Sequence, residues 1–179
     1  MRLTRTLLLP LVFAAPLAAQ APAVGDVAPD WRLPVASRAG VAPDSLSLSS
    51  LRGSPVVLAF FPKARTRGCT IQMETYRDRF AEIFGNDVQL IAISRDTPDT
   101  LAAWARDANF PFRFASDVDG VAGRAFGALA EGRQWESRHL YVLTADGKVS
   151  AVMRPFREID PTAYDELKAA VAAARAATR

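Results

Sequence analysis

Hydrophobic and polar positions fall along this chain in blocks of different period. Residues 55–61, Pro-Val-Val-Leu-Ala-Phe-Phe, form a short continuous apolar run bounded by Gly53 and Pro62. That is the pattern of a strand buried on both faces. Over 68–84 the period lengthens. Cys69, Met73, Tyr76, Phe80, Ile83 and Phe84 recur at steps of three and four, with Glu74, Arg77, Asp78 and Glu82 on the other side. The spacing predicts one amphipathic helix, ended by Gly85-Asn86-Asp87. Residues 88–94 are a second buried strand. Strand, helix and strand in succession make a βαβ unit, so the two strands should run parallel through a right-handed crossover.

Thr97 is placed to cap the next helix, with Pro98 at its first position and Leu101, Trp104 and Ala105 on one face. Ser116-Asp117 opens a short helical piece over 118–126. Strands at 140–143 and 148–153 join through Ala145-Asp146-Gly147, a hairpin signal. A helix over 161–177, with Tyr164, Leu167 and Val171 in its apolar stripe, closes the chain. The polar stretch 37–50 is rich in serine and alanine, and no element is assigned to it. A βαβ half followed by a hairpin and a terminal helix is an α/β arrangement of the thioredoxin-like fold, a central mixed β-sheet flanked by helices.

With 179 residues, half of them hydrophobic, the chain suits one domain with a substantial core. The N-terminus reads as a secretory signal: Arg2 and Arg5, then an apolar run over 7–17, then Ala18 and Ala19. The expected organisation is a signal peptide over 1–19 (cleaved after residue 19 or 21), a short linker over 20–24, and the domain over 25–179. The run is short and interrupted by Pro10 and Pro16, so no membrane span is expected in the mature form. An uncleaved N-terminal anchor is the rival reading. Export points to the periplasm. Removing Arg2 and Arg5 from the 22 basic residues leaves 20 against 19 acidic, so the basic character gives no argument for a nucleic-acid partner.

Export makes the single cysteine notable, because an unpaired thiol is unusual in an oxidising compartment. Cys69 sits in the first turn of its helix, directly after a strand. Free backbone N–H groups and the positive end of the helix dipole favour a thiolate there. Thr66 brings a hydroxyl three residues before it, Gly68 allows close backbone approach, and Pro62 can wall off one side of the pocket. The alternative for any lone cysteine is an inert core thiol. His139, the one histidine, has no metal-ligand spacing with carboxylates or thiols and reads as an ordinary strand residue. No Ser-His-Asp set, CxxC pair, phosphate loop or dinucleotide fingerprint is present. Neither a metal nor a cofactor is called for.

Pro62-Lys63-Ala64-Arg65-Thr66-Arg67-Gly68-Cys69 resembles the active-site motif of the peroxiredoxins, the alkyl hydroperoxide reductase and thiol-specific antioxidant family, in its bacterioferritin comigratory (Q-type) branch. Further landmarks agree: Val24-Gly25-Asp26 through Trp31, Leu51-Arg52-Gly53, Ser116-Asp117 with Gly120, Phe126-Gly127, and Arg138 before Leu140-Tyr141-Val142-Leu143. The resemblance implies a peroxidatic Cys69, a Thr66 that hydrogen-bonds the peroxide, a Pro62 that shields the thiolate, and an Arg138 that stabilises thiolate and leaving oxygen. Gly68 joins Thr66 as a substrate-binding position. Partners implied are a peroxide, hydrogen peroxide or an organic hydroperoxide, and a reductant.

The chain also departs from that pattern. Glu74 stands where many members of the branch have a resolving cysteine. With no second thiol, the expectation is a one-cysteine enzyme whose sulfenic acid is reduced by an external thiol, a thioredoxin-like protein or a low-molecular-weight one. The expected assembly is a monomer or homodimer. Arg67 replaces a proline common between threonine and glycine, and Arg65 adds a second cation of unassigned role. The alternative function is a redox sensor or binding module of the same fold without peroxidase turnover.

Overall fold

The computed structural model describes residues 20–177. The segment read as an export signal, 1–19, lies outside the described residues. Four short strands come first: β1 (Arg32–Leu33), β2 (Val35–Ser37), β3 (Gly40–Val41) and β4 (Leu46–Ser47). A single 3-10 turn, Leu48–Leu51, follows. Then come β5 (Val56–Phe60), α1 (Arg67–Asp78), α2 (Phe80–Ile83), β6 (Gln89–Ser94) and α3 (Pro98–Asp107). The chain continues through β7 (Arg113–Ser116), α4 (Val121–Ala125), β8 (Leu140–Leu143), β9 (Val149–Met153) and α5 (Pro161–Ala176).

Seven strands form one mixed sheet in the order β3-β2-β7-β6-β5-β8-β9, while β1 and β4 pair separately. The apolar runs at β5 and β6 pair in parallel, Val56 opposite Gln89 and Phe60 opposite Ile93. β7 adds to them in parallel, and β8, β9 and β2 are antiparallel to their neighbours.

Strand alternation sorts β5 onto two cores. Val57, Ala59 and Phe61 face a cluster built with α1, α3 and α5, including Met73, Tyr76, Trp104, Tyr164 and Leu167. Val56, Leu58 and Phe60 face a second cluster with Trp31, Leu48, Leu51, Ala122 and Phe126. Both sides of the central strand are therefore dry, which accounts for a run without polar interruption. The sheet lies between α1, α3 and α5 on one face and α4 with the N-terminal strands on the other. This is the thioredoxin-like arrangement.

Four expectations change. The single helix expected over 68–84 is two pieces, because Arg79 leaves helical geometry at φ −107° and ψ 20°. Its guanidinium turns to Glu82 and to Asp165 of α5, and the bend sets Phe84 edge-on to Tyr76 at 5.5 Å. The short helix expected over 118–126 is confined to Val121–Ala125, since Gly120 before it takes a left-handed conformation, φ 69°. β7 was not expected; its four residues are half-buried Arg113 and then buried Phe114, Ala115 and Ser116, too short a run to show a period. The polar stretch 37–50 contributes to β2 and holds β3 and β4, each too short to carry a periodic signal.

Candidate active site

The loop between β5 and α1 is held at its middle. Asp96, just past β6, accepts the Ala64 N–H at 2.7 Å and the Ser94 hydroxyl at 2.8 Å. Arg65 sits at φ 62°, unusual for a residue with a side chain, and its guanidinium pairs with Asp107 at the C-terminal end of α3. That contact accounts for one of the two unassigned cations. Arg67 is exposed, and nothing in the structure explains it. Lys63 lies over the Trp135 ring, 4.7 Å from its centre, which ties this loop to the segment preceding β8.

Thr66 is the N-cap of α1, but its side chain does not cap. The hydroxyl donates instead to the Lys63 carbonyl at 2.9 Å, and the first helical bond is from Thr70 N–H to the Thr66 carbonyl, 2.8 Å. The amides of Gly68 and Cys69 thus belong to the turn whose N–H groups a helix leaves unpaired. Pro62 is half-buried at the strand end, and Thr66 is exposed.

Cys69 is 1 % exposed and belongs to the α1 side of the core. Arg138 comes to it from just before β8. Both Nη atoms lie 3.6 Å from the sulfur. The same guanidinium donates through Nη1 to the Gln72 side-chain oxygen, and its Nε lies 3.1 Å from Glu158 Oε2. Gln72, fully buried on α1, passes the contact on through its amide nitrogen to the Tyr76 hydroxyl at 2.8 Å. Burial pushes the Tyr76 phenol far above its ordinary range, so it stays protonated. Gly68 lies under this cluster. A Cβ there would stand 2.5 Å from Glu158 Oε1 and 3.2 Å from Arg138 Nη2.

The structure thus brings Cys69, Gly68 and Arg138 together, with Thr66 at the helix start and Pro62 at the strand end. Sequence reasoning missed Gln72 and Glu158. Gln72 had a signal, since it is a polar residue on the inward stripe of α1 between Cys69 and Tyr76. Glu158 had none. Glu74, at the position discussed for a resolving cysteine, points outward to Arg77. His139 places its backbone oxygen on the Phe60 N–H at 2.9 Å, and burial lowers its imidazole pKa, with Arg154 adding to the effect. Among the described residues no group of three or more ligand-type side chains is arranged to hold a metal, and no helix is long and apolar enough to cross a membrane.

A thioredoxin-like sheet with one thiol at a helix start, beneath an arginine, defines a thioredoxin-fold thiol protein. Its sequence matches the AhpC/TSA family over residues 24–152, and the chain belongs to that family. Peroxiredoxin Bcp of Escherichia coli (strain K12) is 32 % identical over 139 residues, covering 74 % of this chain and 86 % of that protein. Chloroplastic peroxiredoxin Q of Populus jackii is 34 % identical over 129 residues, 66 % of this chain and 58 % of the relative. The crystal structure of peroxidoxin BcpB from Mycobacterium tuberculosis superposes with a TM-score of 0.71 at 29 % identity, covering 85 % of this chain and 97 % of that one. The chain is a thiol-dependent peroxidase, an oxidoreductase.

Proposed function

We propose that this protein reduces hydrogen peroxide and organic hydroperoxides through Cys69 alone. The observation that carries this reading is the Arg138 guanidinium with both Nη atoms 3.6 Å from the Cys69 sulfur. The nucleophilic form of the sulfur is the thiolate, and the guanidinium stands opposite the charge that form carries. The sulfur attacks the near oxygen of the peroxide, an S–O bond forms and the O–O bond breaks. The departing alkoxide or hydroxide takes a proton and leaves as alcohol or water. Arg138 faces the charge that moves from sulfur to oxygen, the setting in which a fixed donor is worth most. Thr66 donates its proton to the Lys63 carbonyl, which leaves its oxygen free to accept the peroxide O–H. Gly68, lacking a Cβ, leaves room for the Glu158 carboxylate and the Arg138 tip beside the sulfur, and Pro62 stands half-buried at the strand end.

The product is a sulfenic acid on Cys69. With one cysteine in the chain, its reduction uses two external thiols: the first forms a mixed disulfide and releases water, the second frees Cys69 and leaves the reductant as its disulfide. A thioredoxin-like protein or a low-molecular-weight thiol fills that role, in the periplasm if the N-terminal segment acts as its composition suggests. Monomer and homodimer are both compatible with this chemistry.

One equivalent of hydrogen peroxide or an alkyl hydroperoxide should oxidise Cys69 stoichiometrically, far faster than a free thiol, and Cys69→Ser should abolish peroxide consumption. Trapping the sulfenic acid with a dimedone-type reagent and mass spectrometry reads the intermediate. A rate equal to that of free cysteine would overturn the proposal.

A further inference from the structure

Arg138 reaches Cys69 on a long side chain, and something must keep its fork on the sulfur. A guanidinium is a rigid plane of five N–H donors, so fixing one edge aims the rest. The edge that does not face the thiol carries Nε, and Glu158 takes it at 3.1 Å. We propose that Glu158 is a positioning residue for the peroxidase site, part of a clasp with Phe156 and Tyr164 that holds Arg138 against Cys69. The proposal rests on the peroxidase reading above.

Three observations distinguish this carboxylate from a surface ion pair. The side chains of Arg138 and Glu158 are 11 % and 23 % exposed, whereas those of the nearby Arg157–Asp160 pair are 52 % and 36 %. Exposed pairs of the second kind contribute little. The backbone of the same loop also grips the arginine, through the Phe156 N–H on the Arg138 carbonyl at 2.8 Å. And the loop is anchored: Phe156 is buried with its ring perpendicular to Tyr164 at 5.1 Å, while the Tyr164 hydroxyl donates to the Glu158 carbonyl at 2.8 Å. Gly68 completes the seat, because the Glu158 carboxylate occupies the space any Cβ at 68 would take.

On its other side Glu158 borders an open groove of about 310 Å³ with Ile71, Thr75, Ile159 and Pro161, so side chains substituted at 158 have room without disturbing the core. Glu158→Gln keeps an oxygen for Arg138 Nε and removes only the charge. Glu158→Ala removes the seat. Tyr164→Phe keeps the ring and drops the hydroxyl that holds the Glu158 backbone.

The test measures two quantities on folded protein: the ultraviolet absorbance of the Cys69 thiolate at a fixed neutral pH without peroxide, and the rate of Cys69 oxidation by hydrogen peroxide. Glu158→Ala should lower the thiolate signal and slow oxidation by about 10- to 100-fold, the scale of a misplaced catalytic group. Glu158→Gln should stay within about threefold of the parent in rate and keep or raise its thiolate signal, since it loses only a negative charge near the sulfur, and Tyr164→Phe should fall between parent and alanine in rate. An alanine variant with parental signal and rate overturns the proposal, as does a glutamine variant that falls as far as alanine. The thiolate readout needs no peroxide. If the parent proves no faster than a free thiol, the peroxidase reading fails while the effect of Glu158 on the thiolate is still decided.

Discussion

Around Arg138 the guanidinium has an acceptor on each edge: the sulfur at 3.6 Å, Glu158 at 3.1 Å, and the neutral amide carbonyl of Gln72. Two residues earlier, Glu136 is buried among groups of its own sign. Its two oxygens and Asp117 Oδ1 have no hydrogen-bond partner among the described residues, while Asp117 Oδ2 accepts the Gly123 N–H at 2.7 Å. Asp96 adds a further negative charge, and the Arg95 guanidinium opposes it only in part, being spent on the carbonyls of Val118 and Gln134. Burial first, and the Asp117 charge second, push the Glu136 carboxyl well above its ordinary range. In one cluster the part-buried cation Arg138 has the opposite charge of Glu158 beside it. The other is satisfied only when a proton lets Glu136 donate to its neighbour. The first suits a site that must present a fixed field to a reactant; the second suits a structural rivet whose strength depends on pH.

The largest effect should come from the Arg138 cluster. Arg138→Met leaves the sulfur without its cation, and the rate of Cys69 oxidation by peroxide, followed in a single turnover, should drop by about 10²- to 10³-fold. A drop under threefold would mean that the buried arginine serves packing alone.

Next comes the proton-dependent cluster. The folded chain holds the Glu136 proton above the ~4.3 of an unfolded glutamate, so the folded state binds more protons over that interval. The stability contributed is full below that pH and is lost as pH rises toward the folded value, by up to about 1.4 kcal/mol per pH unit. Glu136→Gln carries the shape without the acid. Its urea-unfolding free energy should lack that slope, so the variant gains on the parent as pH is raised from acid to neutral. Parallel curves for the two proteins would break the comparison.

The smallest effect belongs to the rim. Arg65→Ala removes an exposed ion pair with Asp107 and should cost ~1 kcal/mol or less in unfolding free energy, fading with added salt. A larger loss would make the loop anchor, rather than the Arg138 cluster, the main determinant of the site.

What the sequence revealed follows the same division between local and distant causes. β5 and β6 announce themselves as compact apolar runs buried on both faces, and α1 by the three-and-four spacing of its buried residues. β1 to β4 are two or three residues long and exist because of partners elsewhere in the chain: Ala36 of β2 lies opposite Phe114 of β7. No local pattern encodes that pairing. The turn at Arg79 likewise depends on Asp165 of α5. Within the site, Pro62, Thr66, Gly68 and Cys69 cluster at one strand-to-helix junction and were legible as a group, and Arg138 was legible through resemblance. Glu158 lies in a polar loop with Arg157 and Asp160, and only the folded chain shows which of its charges turns inward.

Gly68 carries one more consequence, for the freedom of this chain to vary. The space beside its Cα is already filled by the carboxylate of residue 158 and the tip of residue 138. Positions 68 and 158 are therefore coupled: a side chain at the first requires the carboxylate at the second to swing toward its groove or to be shortened. A library that randomises both and is selected on peroxide survival should return them as matched pairs, so that two residues far apart in sequence are inherited as one.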